Sequence, residues 1–145
     1  MYKKILLAYD GTAEGRRALL TSDEFAQFAQ ADLHLLAVAS MPSTMFLTEG
    51  FVPEELIESE KTRMQSVLDE GIQRVKDRRG VTVTGHLAVG EPVEEIGRVA
   101  VELNVDLIVL GHKQQASLAK RWWAGSVSKS ILDFAPCSVL IVVLE

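Results

Sequence analysis

Lys4-Ile5-Leu6-Leu7-Ala8-Tyr9-Asp10-Gly11-Thr12 decides how this chain is read. The run from Ile5 to Tyr9 is apolar without alternation, which suits a strand covered on both faces. Asp10-Gly11-Thr12 then turns the chain. Beyond it, Ala18, Leu19, Phe25, Ala26 and Ala29 fall on one face of a helix over 13–31, with Thr12 as its N-cap. A doubly covered strand feeding straight into an amphipathic helix is the unit from which parallel sheets are built.

The same unit recurs along the chain. Leu33-His34-Leu35-Leu36-Ala37-Val38 is a second buried strand. Residues 40–50, with Pro42, Ser43, Thr44 and Gly50, read as a long loop in which Met45, Phe46 and Leu47 are available as a cover. Pro53 opens a second helix, with Glu54 and Glu55 suited to the positive end of its dipole. Leu56, Met64, Val67, Leu68, Ile72 and Val75 recur along it at helical spacing, and Gly80 stops it. A third strand runs from Val81 to about Val89 and is broken by Gly90-Glu91-Pro92. Val93, Ile96, Val99, Ala100 and Leu103 line a third helix, and Asp106–Leu110 is a fourth strand ending at Gly111. Gly125-Ser126 opens a fourth helix, Pro136 ends it, and Ser138–Leu144 is a fifth strand. Strict β-α alternation implies an α/β protein: a parallel sheet between two helical layers, with right-handed crossovers.

Composition bounds the function. The 145 residues read as one domain, 1–145, and 48% apolar content excludes a disordered chain. A single cysteine, Cys137, excludes an intrachain disulfide and fits a reducing, cytoplasmic setting. The longest apolar runs are far short of the roughly 20 residues that span a bilayer. A net charge of −5 argues against nucleic acid as a partner. That charge is uneven. Between Leu107 and Leu132 there is no acid, and Lys113, Lys120, Arg121 and Lys129 contribute +4, leaving −9 on the rest. The segment is either an anion site or a solvated basic loop.

In an open α/β sheet, ligands gather at the carboxyl ends of the strands where strand order reverses. Asp10, Val38 and Gly111 stand at three such ends. Gly125-Ser126 follows at a helix start, whose free N–H groups and dipole favour phosphate. The hydroxyls of Ser126 and Ser128 add donors. Each residue also has a plainer role: Gly111 as a turn, Gly125 as a cap, Asp10 as a turn-capping acid. The chain carries neither Gly-Lys-Ser/Thr nor Gly-x-Gly-x-x-Gly.

Taken in order, these pieces resemble the universal stress protein family. The resemblance rests on Lys4–Thr12, Leu33–Val38, Gly90-Glu91-Pro92, Asp106–Gly111, Gly125-Ser126-Val127-Ser128 and Ala135–Val142, and so covers the whole chain. It implies a three-layer, Rossmann-like fold of the adenine nucleotide alpha hydrolase type, with sheet order 3-2-1-4-5. It also implies a homodimer formed by the C-terminal strand, which would otherwise leave an apolar edge uncovered. Many members bind ATP or AMP, with magnesium accompanying ATP, through Gly, two residues, Gly, nine residues, then Gly-Ser or Gly-Thr. Gly111 and Gly125-Ser126 match the ends of that pattern. Gln114 replaces its middle glycine, and ten residues rather than nine follow it. By resemblance, Asp10 holds the ribose or adenine side, Ala8, Tyr9 and Val38 line the base pocket, and Gly111, Gly125, Ser126, Val127 and Ser128 hold ribose and phosphates. Lys113 adds charge to the phosphates.

The residues offer no catalytic set. His34, His86 and His112 lie in or beside strands with no metal-ligand spacing, and Cys137 reads as a structural thiol. The leading expectation is a nucleotide-binding regulatory homodimer in stress response. The alternative is a family member without nucleotide that works as a protein-interaction dimer, its partner meeting Trp122-Trp123.

Overall fold

A computed structural model describes residues 1–41, 53–78, 80–114 and 126–145, and for 126–129 the backbone alone. Nine elements follow in strict alternation: β1 Lys4–Ala8, α1 Ala13–Ala29, β2 Asp32–Ser40, α2 Glu54–Arg78, β3 Val83–Gly90, α3 Pro92–Leu103, β4 Leu107–Lys113, α4 Ser126–Phe134 and β5 Ser138–Leu144. The strands form one parallel sheet in the order β3-β2-β1-β4-β5.

Central β1 explains the unalternating run that begins the chain. Ile5, Leu6 and Leu7 are all fully buried, with successive side chains feeding opposite cores. Ile5, Leu7 and Tyr9 join Leu33, Leu35, Val109, Leu68 and Val75 beneath α1 and α2. Leu6 joins Leu36, Ile108, Ile96, Val99 and Ile131 beneath α3 and α4. Each such side chain contributes about 1.5–3 kcal/mol on burial, so the two cores dominate stability.

Local chemistry sets the ends of the helices. Thr12 caps α1 by accepting from the Gly15 N–H at 3.1 Å. Gln30 ends it in a left-handed conformation, two residues earlier than the apolar pattern suggests. Glu91 caps α3, with Pro92 in its first turn, and Asn104 closes it left-handed. Asp106 ties two strand starts together: its carboxylate accepts from the Lys3 and Lys4 N–H groups at 2.9 and 3.1 Å.

Two strands are longer than the sequence pattern predicts. β2 extends to Ser40 because β3 pairs along it as far as Ser40↔Gly90. β4 does not stop at Gly111. It continues through His112 and Lys113 because β5 offers Val142, Val143 and Leu144 as partners. Gly111 is therefore a strand residue and not a turn. Met45, Phe46 and Leu47 lie outside the described residues, as do Trp122, Trp123 and Gly125. Among the described residues no helix is long and apolar enough to cross a membrane.

His34 of β2 and His86 of β3 meet on the sheet face opposite α2. His34 Nδ1 and His86 Nε2 stand 2.9 Å apart, with the rings stacked at 5.2 Å between centroids. Burial holds both imidazoles below the usual histidine range. For His34, the neighbouring His86 and Lys4 act in the same direction, and Asp32 opposes them. A histidine whose folded pKa lies below its unfolded value makes the unfolded chain the better proton acceptor. This contribution is complete above about pH 6.5 and declines as pH falls through that value toward the folded pKa. Stability measured by urea unfolding between pH 8 and 5 is therefore expected to drop below pH 6.5, with a shallower drop in the His34→Gln/His86→Gln variant. Identical slopes in the two proteins would remove the pair from the account.

Candidate functional site

The carboxyl ends of β1, β2 and β4 surround a cavity of about 280 Å³, closed from the sides by α2 and α3. Ala8, Tyr9, Asp10, Val38 and Gly111 all line it, so five of the sequence-predicted residues come together where strand order reverses. Lys113 is not on its wall. It lies exposed at the end of β4, opposite Leu144 of β5. Ser126, Val127 and Ser128 begin α4, and their backbone alone is described.

Asp10 performs the turn-capping role the sequence allowed. Its Oδ1 accepts from the Thr12 N–H at 3.0 Å and the Thr12 hydroxyl at 2.6 Å, so it fixes the turn. The residue remains exposed and lines the cavity. Gly15 makes this possible, because a Cβ there would sit 2.6 Å from Asp10 Oδ1. Tyr9 is 2% exposed, and its hydroxyl donates to Glu70 Oε1 at 3.2 Å. Burial raises the Tyr9 pKa above the usual tyrosine value, which keeps the phenol protonated as a donor at neutral pH. Glu70 is itself held by Arg16 at 3.5 Å and by Arg74.

Gly111 has a role the turn reading missed. A Cβ there would stand 2.4 Å from the Glu14 carbonyl oxygen and 3.0 Å from the Gly15 nitrogen. The absent side chain lets the first turn of α1 rest on β4. Gln114 keeps an ordinary backbone conformation: the positive-φ residues other than glycine, among those described, are Gln30 and Asn104. Its N–H donates to the Leu144 oxygen at 2.8 Å, continuing the ladder with β5.

Eight further lining residues were not among the predicted site residues: Gly15, Leu36, Ser40, Arg63, Met64, Pro92, Ile96 and Leu110. Arg63 matters most, since among the described residues it and Asp10 are the charged ones on the wall. Its guanidinium is oriented by Glu60, with Nε donating at 2.9 Å to Oε2 and a terminal nitrogen at 2.7 Å to Oε1. A cation three turns into α2 carries no local mark of its function. Only the docking of α2 beside β2 brings it to the cavity.

His112 lies within β4 and is not on the cavity wall. Cys137 is half-buried, and burial followed by the Asp106 charge raises its thiol pKa, which disfavours a thiolate. Replacement of Gly111 by alanine forces a Cβ against backbone, and the expected loss is about 1–3 kcal/mol in chemical denaturation. Gly97, with nothing within 4 Å of a Cβ, is the control. There alanine is expected to leave stability unchanged or raise it by up to about 1 kcal/mol.

The model of the Universal stress protein family matches residues 1–143. Universal stress protein YxiE of Bacillus subtilis is 31% identical over 150 residues, covering 98% of this chain and 99% of that one. A crystal structure of a universal stress protein family member from Burkholderia pseudomallei superposes with a TM-score of 0.76 at 31% identity, covering 97% and 96% of the two chains. Two more distant structures share the fold: a universal stress protein in complex with cAMP, at 22% identity, 97% and 96% coverage and TM-score 0.71, and one from Archaeoglobus fulgidus in complex with dAMP, at 22% identity, 97% and 98% coverage and TM-score 0.66. With the family model spanning nearly the whole chain and the same strand order in place, this chain belongs to the universal stress protein family.

Proposed function

We propose that the chain is a regulatory homodimer of the stress response that binds an adenine nucleotide, ATP or AMP, in the cavity at the strand-order reversal. The observation that carries this reading is the convergence of Ala8, Tyr9, Asp10, Val38 and Gly111 on that one cavity. Its volume is at the small end of ligand sites, which run from about 300 to 1,000 Å³. It suits a nucleoside, with the phosphates extending toward the amino end of α4, where unpaired N–H groups favour anions. The relatives in complex with cAMP and dAMP support the same ligand class. Val38 offers backbone to the base, Asp10 accepts from ribose hydroxyls, and Arg63 supplies positive charge that Lys113 does not bring to the wall. With ATP, magnesium would accompany the phosphates. The ligand acts as a signal and not as a substrate.

One observation favours the second reading, a protein-interaction dimer without nucleotide. The Gln114 N–H is spent on Leu144 of β5 and is not available to a phosphate. Calorimetric titration of stripped protein with ATP and AMP separates the two. Saturable micromolar binding is expected, abolished by Gly125→Val and weakened several-fold by Arg63→Ala. No heat up to millimolar ligand would leave the protein-interaction reading in possession.

Dimerisation is proposed through β5, which is a sheet edge in the single chain. Its residues Val139–Val142 are half-buried, and Val143 is 49% exposed. A seven-residue edge strand with six apolar residues is a pairing hazard unless a partner covers it. Val143→Lys is expected to convert a dimer into a folded monomer in sedimentation velocity. A monomeric parent protein would refute the interface.

A further inference from the structure

A second concavity lies on the outside of the molecule, between α3 and α4. It is an open groove of about 870 Å³. Its apolar lining comes from Val93, Gly97 and Val101 of α3 and from Phe134 of α4. Steps of four set the first three along one side of the helix. Val101 is 65% exposed and Phe134 is 73% exposed, so the single chain leaves this apolar surface in water. Gly97 is the informative residue. A glycine inside a helix costs about 1 kcal/mol against alanine. Its φ is not positive, and a Cβ there would meet nothing within 4 Å, so neither conformation nor packing within the chain calls for it. What it does is bare the floor of the groove, where a third helix can come as near as about 8 Å between axes.

The rim is acidic. Glu91, Glu94 and Glu102 line the groove, and Arg98 is the one base among the described lining residues. Arg98 is already engaged: its Nε donates to Glu95 Oε2 at 2.8 Å and its Nη1 to Glu102 Oε1 at 2.7 Å. With Glu95 included, α3 and its cap set four carboxylates against one guanidinium. Such a rim repels nucleic acid and acidic lipid and attracts a basic surface. We propose that the α3–α4 groove docks an amphipathic helix of a partner protein, with aliphatic or aromatic anchors flanked by lysine or arginine. The anchors rest on Val93, Gly97, Val101 and Phe134, and the flanking cations meet Glu94 and Glu102. Val93 to Val101 is eight residues, about 12 Å of helix, which matches anchors at i, i+4 and i+7. The site is separate from the nucleotide cavity, which Pro92 and Ile96 of the same helix line, and it does not depend on nucleotide being bound.

The probe is a dye-labelled synthetic helix of leucine and lysine, about 14 residues long, with leucine at i, i+3, i+4 and i+7 spacing. It is titrated against the full chain by fluorescence anisotropy at low salt. Saturable one-to-one binding is expected on the order of 10–100 µM. Gly97→Gln fills the floor without a clash, so it is expected to keep the thermal midpoint of the parent and to weaken binding at least fivefold. Glu94→Lys/Glu102→Lys is expected to weaken it at least tenfold, and the same peptide with glutamate for lysine is expected not to bind. In amide correlation spectra of the parent protein, the peptide is expected to shift resonances centred on Gly97, Val101 and Phe134, a reading that does not depend on how any variant folds. Absence of saturable binding below millimolar peptide, equal affinity in Gly97→Gln, equal binding of the glutamate peptide, or shifts centred on the nucleotide cavity or on β5 would each overturn the docking site.

Discussion

The first turn of α1 sits directly on the carboxyl ends of β1 and β4, and the upper edge of the sheet is organised around that approach. Two glycines permit it: Gly15 leaves room for the Asp10 carboxylate, and Gly111 lets β4 pass within touching distance of the Glu14 carbonyl. The turn is then locked by a relay in which Thr12 donates to Asp10 and Gly15 donates to Thr12. An opening is left beside it because β2 and β4 diverge from β1 in opposite chain directions, with α1 and α2 on one face and α3 and α4 on the other. The cavity is thus a consequence of topology, and its chemistry is set by whichever residues end those three strands.

The cavity wall is stiffened from behind. Tyr9 is pressed against α2 so closely that a Cβ at Gly71 would lie 2.8 Å from its ring. Its hydroxyl joins Glu70, and through Glu70 the arginines of α1 and α2. Lower on the same seam, buried Asp23 accepts from Gln27 and from Arg78. An uncompensated carboxylate there would cost several kcal/mol, so this pair holds the helices in one relative position more than it adds net stability. The seam is a rigid support, and it carries Arg63, on the same helix, into place.

Much of the fold was legible because burial leaves a periodic trace. Unalternating apolar runs named four of the five strands, Thr12 and Pro136 bounded helices, and Gly90-Glu91-Pro92 broke β3 where the structure does. Strand ends were less legible, since pairing with a neighbour, not local preference, carried β4 past Gly111 and β2 to Ser40. The site divided along the same line. Asp10, Val38 and Gly111 could be found because the apolar runs locate the carboxyl-terminal part of each strand, although β2 and β4 run two residues further. Arg63 could not, because nothing in Glu60–Met64 separates a cavity-facing arginine from an ordinary surface ion pair. His34 and His86 were visible singly, but their meeting depends on a register that strand sequences alone do not fix.

The departures from the family's glycine pattern acquire a physical meaning in this frame. A glycine at position 114 would free the chain to leave the sheet early and turn its N–H groups toward an anion. Gln114 instead stays in the ladder with β5, in an ordinary conformation that a side chain tolerates. That choice strengthens the β4–β5 pairing at the edge proposed for dimerisation, while it removes one backbone donor from the region next to the cavity. On the nucleotide reading, anion binding then falls to the amino end of α4 and to Arg63, a cation already oriented by Glu60 and so bound without a large ordering cost. The same short segment, Gly111–Gln114, thus lines the cavity at Gly111 and pairs with β5 along its length. Among the described residues, β4 is therefore the one strand that both lines the cavity, at Leu110 and Gly111, and pairs with β5.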